Sequence, residues 1–323
     1  MLISDIPDQI IAQIKSVRKV TIKELVAKLG VSKQTVHKHI KKLIEERKIQ
    51  KYGSAPNVYY SLIEERIVPP ETVDLDSSIK KTLEENYLYV SPLGEMHYGV
   101  LGFSYWCQKI NQDVCKIAKE YVAFISKYKK QGRINADQKM EKTFYDTIIA
   151  HTIYEDFYSI PRFGKTKLGQ LILYAKQNQN LTLIQKIVSQ VRTSIIEIIE
   201  EFDIKAICFV PPTVKRETQF MTEFQRMLRI NLPIISTKKI RNDVAVPQKT
   251  LNNLPDRIKN AQNTIIIDDM RHFDDILVID DAVGSGATLH EMAIKLKDKN
   301  NAKRVIGYAI VGSFKGFDVI TEV

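Results

Sequence analysis

Three cysteines, Cys107, Cys115 and Cys208, are too few and too scattered in 323 residues for a disulfide framework or a zinc site. The expectation is reduced thiols in a cytoplasmic protein. No stretch of about 18 apolar residues occurs, so no membrane span is expected. The opening residues MLISDIPDQI lack the basic-then-apolar layout of a signal peptide. Internal repeats and low-complexity tracts are also missing.

What is present is a globular composition, 44% apolar and 27% charged, in a chain long enough for two or three domains. The net charge of +10 is uneven, because residues 1–66 hold 13 Lys/Arg against 7 Asp/Glu. A local basic excess of that kind fits a polyanionic partner.

The same segment carries a motif. Ile10, Ile11 and Ile14 repeat at helical spacing behind Pro7. Thr21-Ile22-Lys23-Glu24 is a capping box ahead of Leu25, Val26 and Leu29, and Gly30 ends that helix. Ser32 caps a third helix with an expected buried stripe of Val36, Ile40, Leu43 and Ile44. Its other face holds Lys33, Gln34, Thr35, His37, Lys38, Lys41 and Lys42. Residues 49–52 and 57–62 read as two strands joined by the turn Gly53-Ser54-Ala55-Pro56. The stretch LVAKLGVSKQTVHKHIKKLIEERKI with a following hairpin resembles a winged-helix DNA-binding domain over residues 1–66. On that layout Gln34 and Thr35 meet base edges. Lys33, Lys38, Lys41, Lys42 and Lys51 neutralise phosphates. Packing against a protein partner is the other reading of this face. His37 and His39 lie on different helix faces, which disfavours metal binding.

Residues 64–80 are charged, contain Pro69-Pro70 and read as a linker. Residues 87–90 and 96–103 suggest a hairpin around Ser91-Pro92-Leu93-Gly94. Residues 105–130 and 137–158 read as helical, with Trp106, Ile110, Val114, Ile117 and Tyr121 on one stripe. No catalytic constellation stands out between residues 80 and 157. The expectation there is connection, homo-oligomerisation or a partner protein.

Beyond about residue 163, short apolar runs alternate with helical patterns. Strand candidates are residues 206–210, 234–235, 264–267, 276–279 and 304–311; helices are residues 181–202 and 288–297. Such alternation argues for a parallel sheet, with ligands at the carboxyl ends of its strands. The informative stretch is ILVIDDAVGSGATLHEM. Asp280 and Asp281 leave a buried strand together. Gly284 and Gly286 let several amides converge, Ser285 and Thr288 add hydroxyl donors, and a helix begins. That assembly suits a phosphate beside a pair of hydroxyls. A dinucleotide-binding loop needs a third glycine where Leu289 stands. Bare metal ligation by the two acids, or a tight turn with solvated carboxylates, are the remaining readings.

The stretch resembles the phosphoribosyl-pyrophosphate (PRPP) motif of type I phosphoribosyltransferases, with Gly284 where a Thr is common. The resemblance implies that Asp280 and Asp281, the candidate catalytic pair, hold the ribose hydroxyls. It implies that Ala282, Val283, Gly284, Ser285, Gly286, Ala287 and Thr288 hold the 5-phosphate, and that Mg²⁺ arrives with PRPP. Upstream, FVPPTVKR, RNDVAVPQKTLNNLPDRIKN and KLGQLILYAKQNQN are similar to the ComF branch of that family over about residues 160–315. This makes Lys215 and Arg216 candidates for pyrophosphate, and Arg241, Gln248 and Arg257 candidates for a hood. The sequence departs from that branch at Glu217-Thr218-Gln219. His290 is expected to be packed or exposed rather than a base. Asp268, Asp269, Asp274 and Asp275 read as a solvated turn.

The expected fold class is α/β. A winged helix-turn-helix (1–66) precedes a linker and helical/hairpin middle region (67–157). A type I phosphoribosyltransferase-like parallel sheet with helices on both faces follows (158–323). The expected function is a DNA-binding, cytoplasmic regulator responsive to PRPP or a nucleotide. An active phosphoribosyltransferase and a defence effector attacking nucleotides or nucleic acid are the alternatives.

Overall fold

The structure is a computed structural model describing residues 5–17, 19–46, 48–52, 58–62, 73–214, 216–240, 246–299 and 302–315. The chain divides into two compact units, Met1–Pro69 and Pro70–Val323.

The first unit contains α1 (Ile6–Val17), α2 (Ile22–Leu29), α3 (Lys33–Glu45), β1 (Ile49–Tyr52) and β2 (Tyr59–Leu62). Its helix starts are written locally. The Glu24 amide donates to Thr21 Oγ1 at 3.2 Å, and the Thr21 amide donates to Glu24 Oε2 at 2.7 Å. Gly30 ends α2 at φ 66°, a left-handed conformation that costs glycine least. The Thr35 amide donates to Ser32 Oγ at 3.1 Å and starts α3. β1 and β2 pair antiparallel, and Val20 bridges to Tyr60. Ile10, Ile14, Val20, Leu25, Val36, Ile40, Leu43, Ile49 and Tyr60 form the core. Ile44, expected in the buried stripe, is instead 37% exposed, because Leu43 fills that turn of the helix. The expected wing turn (53–56), Asn57 and the linker residues 64–72 lie outside the described residues.

The second unit opens with α4 (Ser77–Asn86), β3 (Leu88–Val90), β4 (Met96–Tyr98), α5 (Gly99–Lys109) and α6 (Val114–Tyr128). Next come β5 (Ile134–Asn135), α7 (Asp137–Thr143), β6 (His151–Phe157), β7 (Ser159–Ile160) and β8 (Gly164–Lys165). Then follow α8 (Lys167–Gln177), α9 (Leu181–Glu201), β9 (Ala206–Phe209), α10 (Phe220–Leu228), β10 (Ile234–Ile235) and β11 (Thr237–Lys239). The last elements are α11 (Leu254–Thr264), β12 (Ile265–Ile267), β13 (Asp275–Val283), α12 (Ala287–Asp298) and β14 (Arg304–Gly312).

The main sheet has the order β10-β9-β13-β14-β6-β5, parallel except for the antiparallel edge strand β5. Alternate side chains feed two cores. Ile207, Phe209, Leu277, Ile279, Tyr308 and Ile310 pack with α8, α9 and α10. Ala206, Cys208, Ile276, Val278 and Ala309 pack on the other face with α12 and the segment before the sheet. Burial on both faces explains why these strands read as continuous apolar runs.

Several expectations need correction. Of the middle region, the described residues 73–157 do not stand apart, since Leu83, Phe103, Tyr121 and Met140 share a core with the sheet. The expected helix 137–158 stops at Thr143, and His151–Phe157 is a strand. That strand is buried on both sides, so it lacks the period-two alternation that marks a strand in sequence. The stripe Trp106 to Tyr121 is two helices. Ile110 is 40% exposed, Asn111 turns at φ 52°, and Asp113 caps α6. The second hairpin strand ends at Tyr98, because Gly99 at φ 57° starts a helix whose Val100 amide donates to Glu84 Oε1 at 3.1 Å. Residues 265–267 pair antiparallel with β11 outside the main sheet.

Candidate functional site

β13 continues beyond its apolar stretch through Asp280 and Asp281 to Val283, and α12 begins four residues later. Between them Gly286 takes φ 88°; a Cβ there would meet Met140 Sδ at 2.5 Å. Glycine therefore allows both the turn and the close approach of α7. The His290 amide donates to the Gly286 carbonyl, the first helical bond of α12. The amides of Thr288 and Leu289 precede it and have no helical acceptor. Both residues line a cavity of about 250 Å³, together with residues 280–287. Such a helix start favours an anion.

The diacid lines the same cavity. Asp280 is 7% exposed, and its Oδ1 accepts the Asp281 amide at 2.8 Å. Burial, then the neighbouring Asp281 charge, push its carboxyl well above the usual carboxylate range, while Lys176 acts in the opposite direction. Asp281 Oδ2 lies 2.6 Å from Lys176 Nζ.

The cavity lining also holds cations. Arg216, reached from the loop after β9, lines the cavity and donates to the Lys176 carbonyl. Gln219 steadies that loop by donating to the Val214 carbonyl at 3.0 Å. Gln248 and Arg257 also line the cavity. Gln248 Nε2 donates to the Arg257 carbonyl at 2.9 Å, and Arg257 Nε donates to the Leu251 carbonyl at 2.9 Å. Lys215 and Arg241 lie outside the described residues. The diacid, the loop 282–288, Arg216, Gln248 and Arg257 thus meet in one place.

Two lysines were missed. Lys176 sits at the end of α8, 105 chain positions and several elements before the Asp281 it meets, where its own stretch shows only a polar residue closing an apolar stripe. Lys239 on β11 lines the cavity and donates to Thr213 Oγ1 at 2.7 Å. Burial lowers its ammonium to about 8, with Asp280 opposing. No sequence signal separates it from the adjacent, exposed Lys238.

His290 is packed, as expected, with its ring stacked on Phe144 at 4.1 Å. The second acidic cluster is ion-paired. Asp269 meets Arg271 at 2.6 Å, Asp274 meets Lys303 at 3.1 Å, and Asp275 meets Arg304 at 2.6 Å. Among the described residues, no group of three or more His, Cys, Asp or Glu is placed to hold a metal ion.

In the first unit Lys33, Gln34, His37, Lys38, Lys41 and Lys42 are exposed on α3, and Lys51 is exposed on β1. Lys41 and Lys42 lie 3.9 and 3.8 Å from Glu45 and Glu46, one helical turn on. Thr35 is half-buried, and its hydroxyl meets Ser32 Oγ at 2.8 Å, so it is engaged in the cap.

Residues 8–51 match a family model described as an HTH domain. No curated protein matches the chain. Among solved structures, a hypoxanthine phosphoribosyltransferase from Staphylococcus aureus is similar at 14% identity, over 43% of this chain and 80% of that one, with a TM-score of 0.25. The first unit is a winged helix-turn-helix domain. The second is an α/β unit with a six-stranded, mostly parallel sheet covered by helices on both faces, in which the strand bearing Asp280 and Asp281 leads through Gly286 into α12. No described helix is long and apolar enough to cross a membrane.

Proposed function

We propose that this chain is a DNA-binding regulator whose second unit binds PRPP or another ribose 5-phosphate ligand. The observation that carries the ligand half is the meeting, in one cavity, of two adjacent carboxylates with a glycine-turned helix start. Amides and a helix dipole suit the phosphate, and carboxylates beside them suit the sugar hydroxyls. The matched helix-turn-helix and the exposed lysines of α3 support the DNA half. Magnesium would enter with PRPP, neutralising the pyrophosphate charge. The described donor set adds no metal cage of its own. Arg216 and Lys239 would face the pyrophosphate, and Gln248 with Arg257 would form the hood.

A regulator requires the ligand to interact differently with DNA-bound and free protein. The test is DNA binding by fluorescence anisotropy with and without saturating PRPP and Mg²⁺, saturation being set by calorimetry. A shift in DNA affinity that disappears in Asp281→Asn is the expected result. An unchanged affinity at saturation removes the regulatory reading. Release of pyrophosphate by the wild type, lost in Asp281→Asn, would assign a transferase instead.

A further inference from the structure

We infer that Lys176 acts as the resident counter-ion of the diol subsite, so that a ribose 5-phosphate moiety binds here without a divalent cation. This rests on the ribose 5-phosphate reading above and adds how the site balances its charge. Three observations converge on Lys176. Its ammonium is 2.6 Å from Asp281 Oδ2, and the two side chains are only 17% and 16% exposed. Partial burial reduces screening of the pair and makes the loss of one partner costly to the charge left behind. Its backbone carbonyl is held by Arg216, and its ammonium lies 5.7 Å from the Phe220 ring centre, so its position is set from several sides. Finally, Lys176 lines the same cavity as the diacid and the phosphate loop.

A divalent cation beside a vicinal diol does two things. It neutralises neighbouring carboxylates, and it fixes their direction toward the sugar oxygens. Lys176 does both from within the chain. Burial and the neighbouring Asp281 charge push the Asp280 carboxyl upward, and the Lys176 ammonium opposes that shift while it meets Asp281 directly. An ammonium has three donors, and a carboxylate accepts more than one hydrogen bond. Asp281 can therefore keep Lys176 while accepting a ribose hydroxyl. Lys176 is thus a positioning residue for Asp281.

The test is calorimetric titration of the full chain with ribose 5-phosphate, once in excess EDTA and once in millimolar Mg²⁺. Wild type is expected to bind equally in both. Lys176→Met should weaken binding in EDTA by about tenfold or more, the worth of a lost charge-assisted hydrogen bond, and should regain part of it with Mg²⁺. Lys176→Arg should remain indifferent to EDTA. A merely structural lysine would give a loss that Mg²⁺ does not rescue. Binding by wild type only with Mg²⁺, or undiminished binding by Lys176→Met in EDTA, overturns the inference. The first of these outcomes needs no variant to fold, since the wild-type arms alone decide it. Absence of binding in both wild-type conditions overturns instead the ribose 5-phosphate reading on which it stands.

Discussion

Asp280 follows four consecutive buried residues, Ile276 to Ile279, and its own carboxyl leaves water on folding. The sign of the consequence is fixed by linkage. A carboxyl raised in the folded state favours folding only while protonated. That contribution is complete below about pH 4, the ordinary carboxylate value, and is lost as pH rises through the raised folded value. Asp280→Asn keeps the shape and removes the charge. It should match wild type in acid and become the more stable protein at neutral pH, by on the order of 1 kcal/mol or more. Urea unfolding across that range measures it; a constant gap between the two proteins would contradict the argument. The same variant should bind ribose 5-phosphate more weakly, which is the mark of a residue retained for its site rather than its stability. Legibility at this scale follows locality. Asp280, Asp281 and the glycines are read in one continuous stretch because one strand end and one helix start supply them. Lys176 and Lys239 arrive from α8 and β11, and only the fold brings them to the cavity.

Helix α3 shows how much of an element its own residues dictate. Ser32 supplies the cap, Val36, Ile40 and Leu43 supply the buried stripe, and the remaining face is left to lysines. Each of those choices acts within one or two helical turns, so the sequence displays them directly. β6 is the opposite case. Ile153 and Tyr154 are buried because β5 and β14 flank them and helices cover them, partners far away in the chain. On α3, Lys38 is exposed, and its role as a phosphate contact has a quantitative signature. Lys38→Ala should weaken DNA binding evenly across sequences and reduce the slope of log affinity against log salt by about one. Anisotropy titrations over a range of potassium chloride concentrations give that slope. A weaker affinity with the wild-type slope would mean that Lys38 shapes the helix face without meeting a phosphate.

The segment before the sheet belongs to the second unit for reasons that include charge as well as apolar packing. Asp156, 1% exposed at the carboxyl end of β6, lies 3.7 Å from Lys129 of the α6 end, and Lys129 donates to Asn86 Oδ1 of α4 at 2.9 Å. Tyr121 adds a hydrogen bond to the Asn86 carbonyl at 3.1 Å. Asp156 without Lys129 would be a buried carboxyl with no cation, a loss of about 3–5 kcal/mol by the usual cost of breaking such a pair. β6 itself pairs with β14, so removing it leaves the latter's edge open and uncovers the apolar residues that pack with Tyr154 and Phe157. The Pro-Pro boundary at residues 69–70 is visible in sequence; the dependence of the sheet on residues 73–157 is not, since it rests on contacts between distant segments. A fragment of residues 70–323 should therefore unfold cooperatively and bind ribose 5-phosphate as the full chain does. One of residues 158–323, which still carries Asp280, Asp281 and the phosphate loop, should fail to give a cooperative transition. Circular dichroism melts and the same calorimetric titration distinguish them. A cooperative, ligand-binding fragment 158–323 would show that the earlier segment only decorates the sheet, and that the cavity is built without it.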